Sequence, residues 1–104
     1  MPKLFYAVTA TIGDETLRDA YIGWLTGGHI EAVIAGGAAS ARLVVLDGEG
    51  PARVETQYVF PSRDAFEAYQ AGPAVPLRED GVRRFGGRGV VFERRIGEVA
   101  AEHE

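Results

Sequence analysis

The feature that most constrains this sequence is the change in the spacing of its apolar residues along the chain. Residues 3–11 alternate between two faces with a period of two, which is the pattern of a β-strand. From Glu15 the apolar residues recur every three or four positions, which indicates an amphipathic helix that Asp14 is placed to cap. Gly27-Gly28 interrupts this helix. The apolar stripe resumes at residues 29–35, and Gly36-Gly37 ends it. One loosened helix and two short helices meeting at a bend both fit this pattern.

The rest of the chain continues the alternation of strands and helices. Strands are predicted at 38–46, 53–60 and 89–96, with a turn at 47–51, a helix beginning after Ser62, and an irregular or short helical stretch at 75–85. Ser62 is a typical N-cap residue, and Phe66 and Tyr69 supply the buried side of its helix. The resulting order, βαββαβ with right-handed crossovers, predicts an α+β, ferredoxin-like domain. In that fold a four-stranded antiparallel sheet carries both helices on one face.

This arrangement leaves the other face of the sheet uncovered. Both alternating sets of strand residues are rich in apolar side chains, so the open face is expected to offer Val, Phe and Leu to water. Such a surface favours aggregation unless something covers it. We therefore expect a homodimer in which two sheets pack face to face, a dimeric α+β barrel.

The composition limits the classes of function. A chain of 104 residues forms one domain, placed at residues 1–97, with an acidic C-terminal tail at 98–104. The absence of cysteine excludes disulfides, thiolate metal sites, iron–sulfur clusters and thiol nucleophiles. The net charge of −4 argues against nucleic acid or an anionic membrane as a partner. No apolar run is long enough to span a bilayer and no signal-peptide pattern is seen, so a cytoplasmic location is expected.

Three segments carry a recognisable pattern. They are Trp24 to Arg42 with His29-Ile30-Glu31-Ala32-Val33 inside it, Gln57 to Tyr69, and Leu77-Arg78-Glu79-Asp80-Gly81-Val82-Arg83-Arg84-Phe85-Gly86. Together they resemble a family of small bacterial proteins known only as a domain of unknown function, and the resemblance covers most of residues 4–96. That family belongs to the dimeric α+β-barrel group, which agrees with the order of elements derived above.

The resemblance implies a fold and no established activity. Wider relatives in the group include cofactor-free antibiotic-biosynthesis monooxygenases, haem-degrading enzymes, muconolactone isomerases and polyketide cyclases, while others are purely structural. The resemblance draws attention to Arg78, Arg84 and Phe85, and we expect neither a cofactor nor a metal. The charges around Arg78 also fit a solvated helix face or a set of salt bridges at a dimer edge.

His29 and Arg42 are the candidate catalytic residues. His29 is the only histidine outside the tail, and it could act as a general base near neutral pH. It also fits a histidine that is bonded to a carbonyl at a helix bend, or one that faces water. Arg42, in the middle of a strand, could bind a carboxylate or stabilise an oxyanion. It could instead pair with Glu55 or Glu93 on a neighbouring strand.

Aromatic side chains dominate the candidate ligand-binding residues. The full set is Tyr21, Trp24, Tyr58, Tyr69, Arg78, Arg84 and Phe85. If the helices cover the sheet as predicted, several of these rings meet in one layer, where they could line a pocket for a flat apolar ligand. Aromatic residues at helical spacing also fill ordinary cores, which is the favoured interpretation of Phe66 and Tyr69.

Two functional hypotheses follow from these residues. The favoured one is a non-catalytic dimeric module that binds a small molecule or a partner protein, because the chain has one histidine outside the tail and no catalytic motif. The alternative is a cofactor-independent enzyme acting on a small apolar or aromatic substrate. In that enzyme His29 is the base, Trp24 and Tyr58 shape the pocket, and Arg42 or Arg84 stabilises an oxyanion.

Overall fold

The computed structural model describes all 104 residues and contains four strands and four α-helices. The strands are β1 (Leu4–Ile12), β2 (Ser40–Leu46), β3 (Ala52–Phe60) and β4 (Val91–Glu98). The helices are α1 (Glu15–Trp24), α2 (Ile30–Ala35), α3 (Arg63–Ala71) and α4 (Ala74–Phe85), and a π-helical turn (Leu25–His29) joins α1 to α2. No helix is long and apolar enough to cross a membrane.

The four strands form one antiparallel sheet in the order β2-β3-β1-β4. This is the βαββαβ arrangement predicted from the alternating periodicities, and the ferredoxin-like α+β fold is confirmed. Residues of β1 with even numbers face the helices, because Tyr6 lies opposite Tyr58 of β3 and both rings are buried. The odd-numbered residues of β1 lie on the open face.

The predicted helix starts are confirmed by the capping geometry. The carboxylate of Asp14 accepts hydrogen bonds from the backbone N–H groups of Thr16 and Leu17, at 2.8 and 3.2 Å. The hydroxyl of Ser62 accepts one from Ala65 N–H at 3.1 Å. These bonds satisfy amide groups that the first turn of a helix leaves without a partner.

The structure decides between the two arrangements that Gly27-Gly28 left open for the first helical segment. The segment consists of two helices, α1 and α2, which meet at a kink where Gly28 has the non-helical φ and ψ of 144° and −23°. Residues with a Cβ rarely adopt such a positive φ, so the kink depends on a glycine at this position. Of the two arrangements that fit the sequence, two short helices meeting at a bend is therefore the correct one.

The stretch at 75–85, predicted as irregular or short helical, is a regular helix of twelve residues, α4, despite Pro76 and Gly81 in its sequence. Pro76 lies in the first turn, where its missing N–H costs nothing. Gly81 allows a close approach, because a Cβ there would lie 3.2 Å from Cη2 of Trp24, a tight contact. Packing against α1 therefore overrides the low helix propensity of both residues.

The buried apolar residues form two clusters on the helix face of the sheet. One lies around Tyr6, Phe60 and Phe66, and the other around Ala10, Leu17 and Phe85. The cross-strand row between them contains Leu43, Thr56, Val8 and Arg94. Because this row holds short or polar side chains at its centre, it leaves room between the two clusters.

The open face of the sheet is less apolar than predicted. It carries Phe5, Val44, Leu46 and Val59, but also Arg42, Arg53, Glu55, Gln57, Glu93 and Arg95. Glu55 is only 4% exposed, and it is covered by an ion pair with Arg95 and a hydrogen bond from Gln57 at 3.3 Å. The open face thus carries the predicted Val, Phe and Leu side chains, but it shares them with charged residues that the prediction did not include.

Candidate functional site

A cavity of about 100 Å³ lies between the helices and the sheet, where the two core clusters meet. Its aromatic lining consists of Tyr6, Tyr21, Trp24, Tyr58, Tyr69 and Phe92. All four tyrosines of the chain and its single tryptophan are among them. The floor is the sheet row of Val8 and Thr56, while α4 supplies Leu77, Arg78 and Gly81 to the opposite wall. The cavity is thus apolar with polar groups placed singly around it, which is typical of small-molecule sites.

Trp24 ties three parts of the chain together at one end of the cavity. Its indole stacks on the imidazole of His29, with ring centroids 4.0 Å apart and an angle of 24° between the planes. Its Nε1–H donates to Oδ2 of Asp80 on α4 at 3.0 Å. The other carboxylate oxygen of Asp80 accepts hydrogen bonds from Arg83 and, at 3.0 Å, from Arg84. The hydrogen bonds from Trp24 and Arg84 hold the pKa of Asp80 below its ordinary value.

His29 lines the cavity from the end of the π-helical turn. Burial lowers its pKa, and the nearby Asp80 carboxylate opposes that shift in part. The imidazole is therefore neutral around pH 7. Its Nδ1 is buried without a hydrogen-bond partner, so a ring nitrogen remains free to bind a ligand group.

Tyr58 presents a second unsatisfied group to the cavity. The residue is 2% exposed, and its hydroxyl has no hydrogen-bond partner. Burial raises the pKa of Tyr58 to about 12. The Thr56 hydroxyl lies near enough to act in the opposite direction, but its contact with the phenol lacks hydrogen-bond geometry, and Thr56 Oγ1 donates to the Val8 carbonyl at 3.4 Å. The Tyr58 hydroxyl is therefore protonated at neutral pH. A buried polar group without a partner is rare in a protein interior, and a bound molecule is one way to satisfy it.

Two arginines lie at the cavity. Arg94 of β4 lies opposite Val8 of β1, on the helix face, and its Nε donates to the hydroxyl of Tyr6 at 3.2 Å. Arg78 of α4 donates through Nη1 to Oε1 of Gln70 at 2.9 Å. Neither guanidinium pairs with a carboxylate.

The structure brings most of the predicted site residues to this cavity. Those that line it are Tyr21, Trp24, His29, Tyr58, Tyr69 and Arg78. Phe85 lies behind the lining, where its ring packs edge-on against Tyr21 at 5.2 Å. Arg84 points to Asp80 on the outside of α4. Arg42 lies on the opposite face of the sheet beside Gln57, so it is not part of the cavity.

Tyr6, Gln70 and Arg94 line the cavity but were absent from the sequence-based set. The sequence pattern around Tyr6 indicates an ordinary core position in a strand, and the pattern around Gln70 indicates a surface position on a helix. Arg94 follows Glu93 and precedes Arg95, so its strand resembles a charged sheet edge. Only the pairing of β4 with β1 shows that Arg94 faces the helices.

No three histidine, cysteine, aspartate or glutamate side chains are grouped so that they could hold a metal ion. The single imidazole at the cavity has Asp80 as its nearby carboxylate, and that carboxylate is already bonded to Trp24 and Arg84. The groups that remain free are a neutral imidazole nitrogen, a phenol and two guanidinium ions. They can donate or accept hydrogen bonds and attract negative charge.

Residues 3–99 match the family described as Domain of unknown function (DUF4286), and the chain belongs to that family. The match covers nearly the whole chain and confirms the resemblance seen in the segments around His29, Tyr58 and Arg78. A comparison with curated proteins gives no match.

Several solved structures share the fold. A dimeric ferredoxin-like protein from an uncultured marine organism has 17% identity and a TM-score of 0.84, covering 99% of this chain and 100% of its own. A monooxygenase from the ActVA-Orf6 gene of Streptomyces coelicolor, in complex with nanaomycin D, has 14% identity and a TM-score of 0.74. The match covers 99% of this chain and 92% of the monooxygenase. SnoaB of Streptomyces nogalater, a cofactor-independent oxygenase, has 13% identity and a TM-score of 0.71. The match covers 98% of this chain and 97% of SnoaB. At these identities the likeness extends to the fold alone.

Proposed function

We propose that this protein is a homodimeric binding module that holds a small, single-ring molecule in the cavity between helices and sheet. The observation that carries the proposal is the pair of unpartnered polar atoms, His29 Nδ1 and Tyr58 Oη, in a cavity lined mostly by aromatic and apolar side chains. A ligand with a polar substituent satisfies these atoms and replaces water against the aromatic walls.

The volume of the cavity sets the size of the ligand. A cavity of roughly 150 Å³ with an apolar lining accommodates benzene. The cavity here is about 100 Å³ and partly open to solvent, so the enclosed part of the ligand is no larger than one ring with a small polar substituent. A polycyclic ligand such as the nanaomycin D bound by the Streptomyces coelicolor monooxygenase would require Trp24 or α4 to move.

Trp24 provides a direct test of this binding. It is the only tryptophan in the chain and it lines the cavity, so its emission reports occupancy. Phenol, benzoate and benzamide are suitable single-ring probes, and saturable changes in emission are expected. Val8→Phe fills the cavity from the sheet and Leu77→Phe fills it from α4, and each should abolish the change while the circular dichroism spectrum is kept. No saturable change with any probe, or unaltered binding in both variants, contradicts the proposal.

The homodimer is supported by the open face of the sheet. This face carries arginines and glutamates together with apolar side chains, a mixture that two copies related by a twofold axis can match. The similar marine structure is described as dimeric. Two chains of 11.2 kDa are therefore expected in native mass spectrometry.

A matched pair of variants on β2 tests which face forms the dimer. Val44 lies on the open face and its neighbour Val45 on the other face, where it is already 56% exposed. Val44→Asp buries an unpaired charge in the proposed interface and should give monomers, while Val45→Asp should remain dimeric. Dimers in both variants, or a monomeric parent protein, contradict this part of the proposal.

An enzymatic function is the second candidate, and the state of His29 favours it. A neutral imidazole with a free nitrogen at an apolar cavity can accept a proton from a bound substrate. SnoaB, which shares the fold, is described as a cofactor-independent oxygenase. The test is the exchange of the hydrogens beside the carbonyl of cyclohexanone for deuterium, followed by proton NMR. A rate above that of buffer, lost in His29→Gln, supports the enzyme, and equal rates in both proteins exclude this role of His29.

A further inference from the structure

The charged side chains that line the cavity are all positive, and the nearby Asp80 carboxylate is bonded to Trp24 and Arg84 outside the lining. Arg78 and Arg94 line the cavity, and no aspartate or glutamate does. This is unusual for a chain whose net charge is −4. We propose that the ligand is an organic anion, a single-ring carboxylate whose carboxylate is bound by Arg78 and Arg94. This inference rests on the proposed binding function and adds the chemical class of the ligand to it.

Arg94 is available for such an anion. Its Nε is engaged by the hydroxyl of Tyr6, which orients the guanidinium, while its two terminal nitrogens form no hydrogen bond. The neighbouring Arg95 points to the open face and pairs with Glu55. Because side chains alternate along β4, Arg95 pairs with a carboxylate on the open face, whereas Arg94 faces the helices and has no acidic partner.

Arg78 shows the same contrast within one helix. Arg83 and Arg84, further along α4, share the carboxylate of Asp80. Arg78 lies two residues before Asp80, on a different side of α4, and bonds only to the neutral side chain of Gln70. A neutral partner leaves its positive charge uncompensated, and a ligand carboxylate can accept both parallel N–H groups of a guanidinium.

The electrostatic effect of both arginines reaches the aromatic walls. Burial raises the pKa of Tyr21 to about 12, and the charge of Arg94 opposes this shift. Burial also raises the pKa of Tyr69, and there Arg78 and Arg94 both act in the opposite direction. The two guanidinium groups therefore favour negative charge near the rings that line the cavity.

The size and lining of the cavity favour a carboxylate over a phosphate. Twelve of the eighteen lining residues are hydrophobic, and the space holds one ring. A carboxylate carries a single charge, whereas a phosphate monoester carries close to two at neutral pH. Arg78 and Arg94 are exposed, so only the side of the anion that faces the apolar lining loses water, and a second charge adds to that cost. The ring therefore lies among the tyrosines and its carboxylate at the arginines.

Benzoate and benzamide provide the test, because they have the same shape and differ in charge. Titrations that follow Trp24 emission should show benzoate binding at least roughly tenfold more tightly than benzamide. Arg94→Gln and Arg78→Gln should each weaken benzoate binding by roughly tenfold and leave benzamide binding unchanged. Arg88→Gln removes the same charge outside the cavity lining, where the side chain bonds to the Arg84 carbonyl, and should change neither affinity.

The outcomes separate this inference from the function on which it rests. If benzoate and benzamide bind equally, the cavity is a binding site but not one for anions, and only the inference fails. If no probe binds, the proposed function fails with it. If phenyl phosphate binds more tightly than benzoate, the site recognises phosphate and the assignment of a carboxylate is wrong. If Arg88→Gln weakens benzoate as much as Arg94→Gln does, net charge rather than the cavity arginines attracts the anion.

Discussion

The rings of Trp24 and His29 stack on each other across the π-helical turn, with their centroids 4.0 Å apart. Gly28 lies directly before His29 and takes the positive φ of 144° that lets the chain turn between them. Because Trp24 also donates to Asp80 at 3.0 Å, the stack connects the first helical segment to α4. One end of the cavity is thus held by contacts between residues 24–29 and α4, which are distant in sequence.

The titration of His29 predicts a loss of stability in weak acid. Burial lowers the pKa of His29 below its ordinary value of 6.5, so the unfolded chain binds a proton where the folded protein does not. The free energy of unfolding is therefore expected to fall as the pH drops from about 7.5 through 6.5 and down to the folded-state pKa. Urea unfolding over this range measures the effect. His29→Gln removes the titration and should flatten this part of the profile, and an unaltered profile in the variant would assign the effect to other groups.

Tyr58 and Tyr6 offer a matched test of the unsatisfied hydroxyl. Both rings are buried and line the cavity, but the hydroxyl of Tyr6 accepts a hydrogen bond from Arg94 and that of Tyr58 has no partner. Removing an unsatisfied buried group also removes the free-energy cost of its desolvation. Tyr58→Phe should therefore leave the free energy of unfolding unchanged or raise it by about 1 kcal/mol. Tyr6→Phe should lower stability by about 1 kcal/mol.

The same pair of variants connects stability to binding. Tyr58→Phe should weaken the binding of 4-hydroxybenzoate relative to benzoate, because the ring hydroxyl of the ligand loses the partner that Tyr58 offers. Thermal melts and titrations of Trp24 emission on the same preparations measure both effects. A Tyr58→Phe variant that is clearly less stable than its parent would show that the hydroxyl is already satisfied.

The fold could be predicted from the sequence because its signals are local. The alternation in residues 3–11, the caps at Asp14 and Ser62, and the apolar stripes of the helices each depend on neighbours within a few residues. The length and regularity of α4 could not be predicted for the opposite reason. Gly81 lowers helix propensity, and only the closeness of the Trp24 ring, 3.2 Å from where a Cβ would lie, shows why a glycine suits that position.

The site depends on relationships that the sequence does not display. Arg42 and Arg94 both lie in the middle of alternating strands, yet register places the first on the open face and the second at the cavity. A shift of one residue in strand pairing exchanges the two faces, so side-chain direction cannot be read when both faces contain apolar residues. The aromatic residues of the helices were easier to place, since Tyr21, Trp24 and Tyr69 follow the spacing of an apolar helix face.

Gly36 is expected to be essential for the packing of α3 and α4 against the end of α2. A Cβ at this position would lie 2.9 Å from Cβ of Pro73 and 2.9 Å from Cδ1 of Tyr69, closer than such atoms approach. Gly36→Ala should therefore lower the free energy of unfolding by about 1–3 kcal/mol. Gly23→Ala is the control, because nothing lies within 4 Å of its Cβ position in α1. Gly23→Ala should raise the free energy of unfolding by about 0.5–1 kcal/mol. Urea midpoints that shift down in Gly36→Ala and up in Gly23→Ala, relative to the parent protein, would confirm the contrast.

Asp80 is expected to control the protonation of His29 although it is also bonded to Trp24. Its carboxylate is the one charge that opposes the lowering of the His29 pKa by burial. Asp80→Asn keeps an oxygen that can accept from Trp24 Nε1 but removes the charge, so the pKa of His29 should fall further. An NMR titration of the imidazole, assigned by its loss in His29→Gln, measures the change. Glu79→Gln removes the neighbouring charge, which faces solvent, and should leave the titration where it is. Equal shifts in both variants would mean that overall charge, rather than the contact through Asp80, sets the proton affinity of His29.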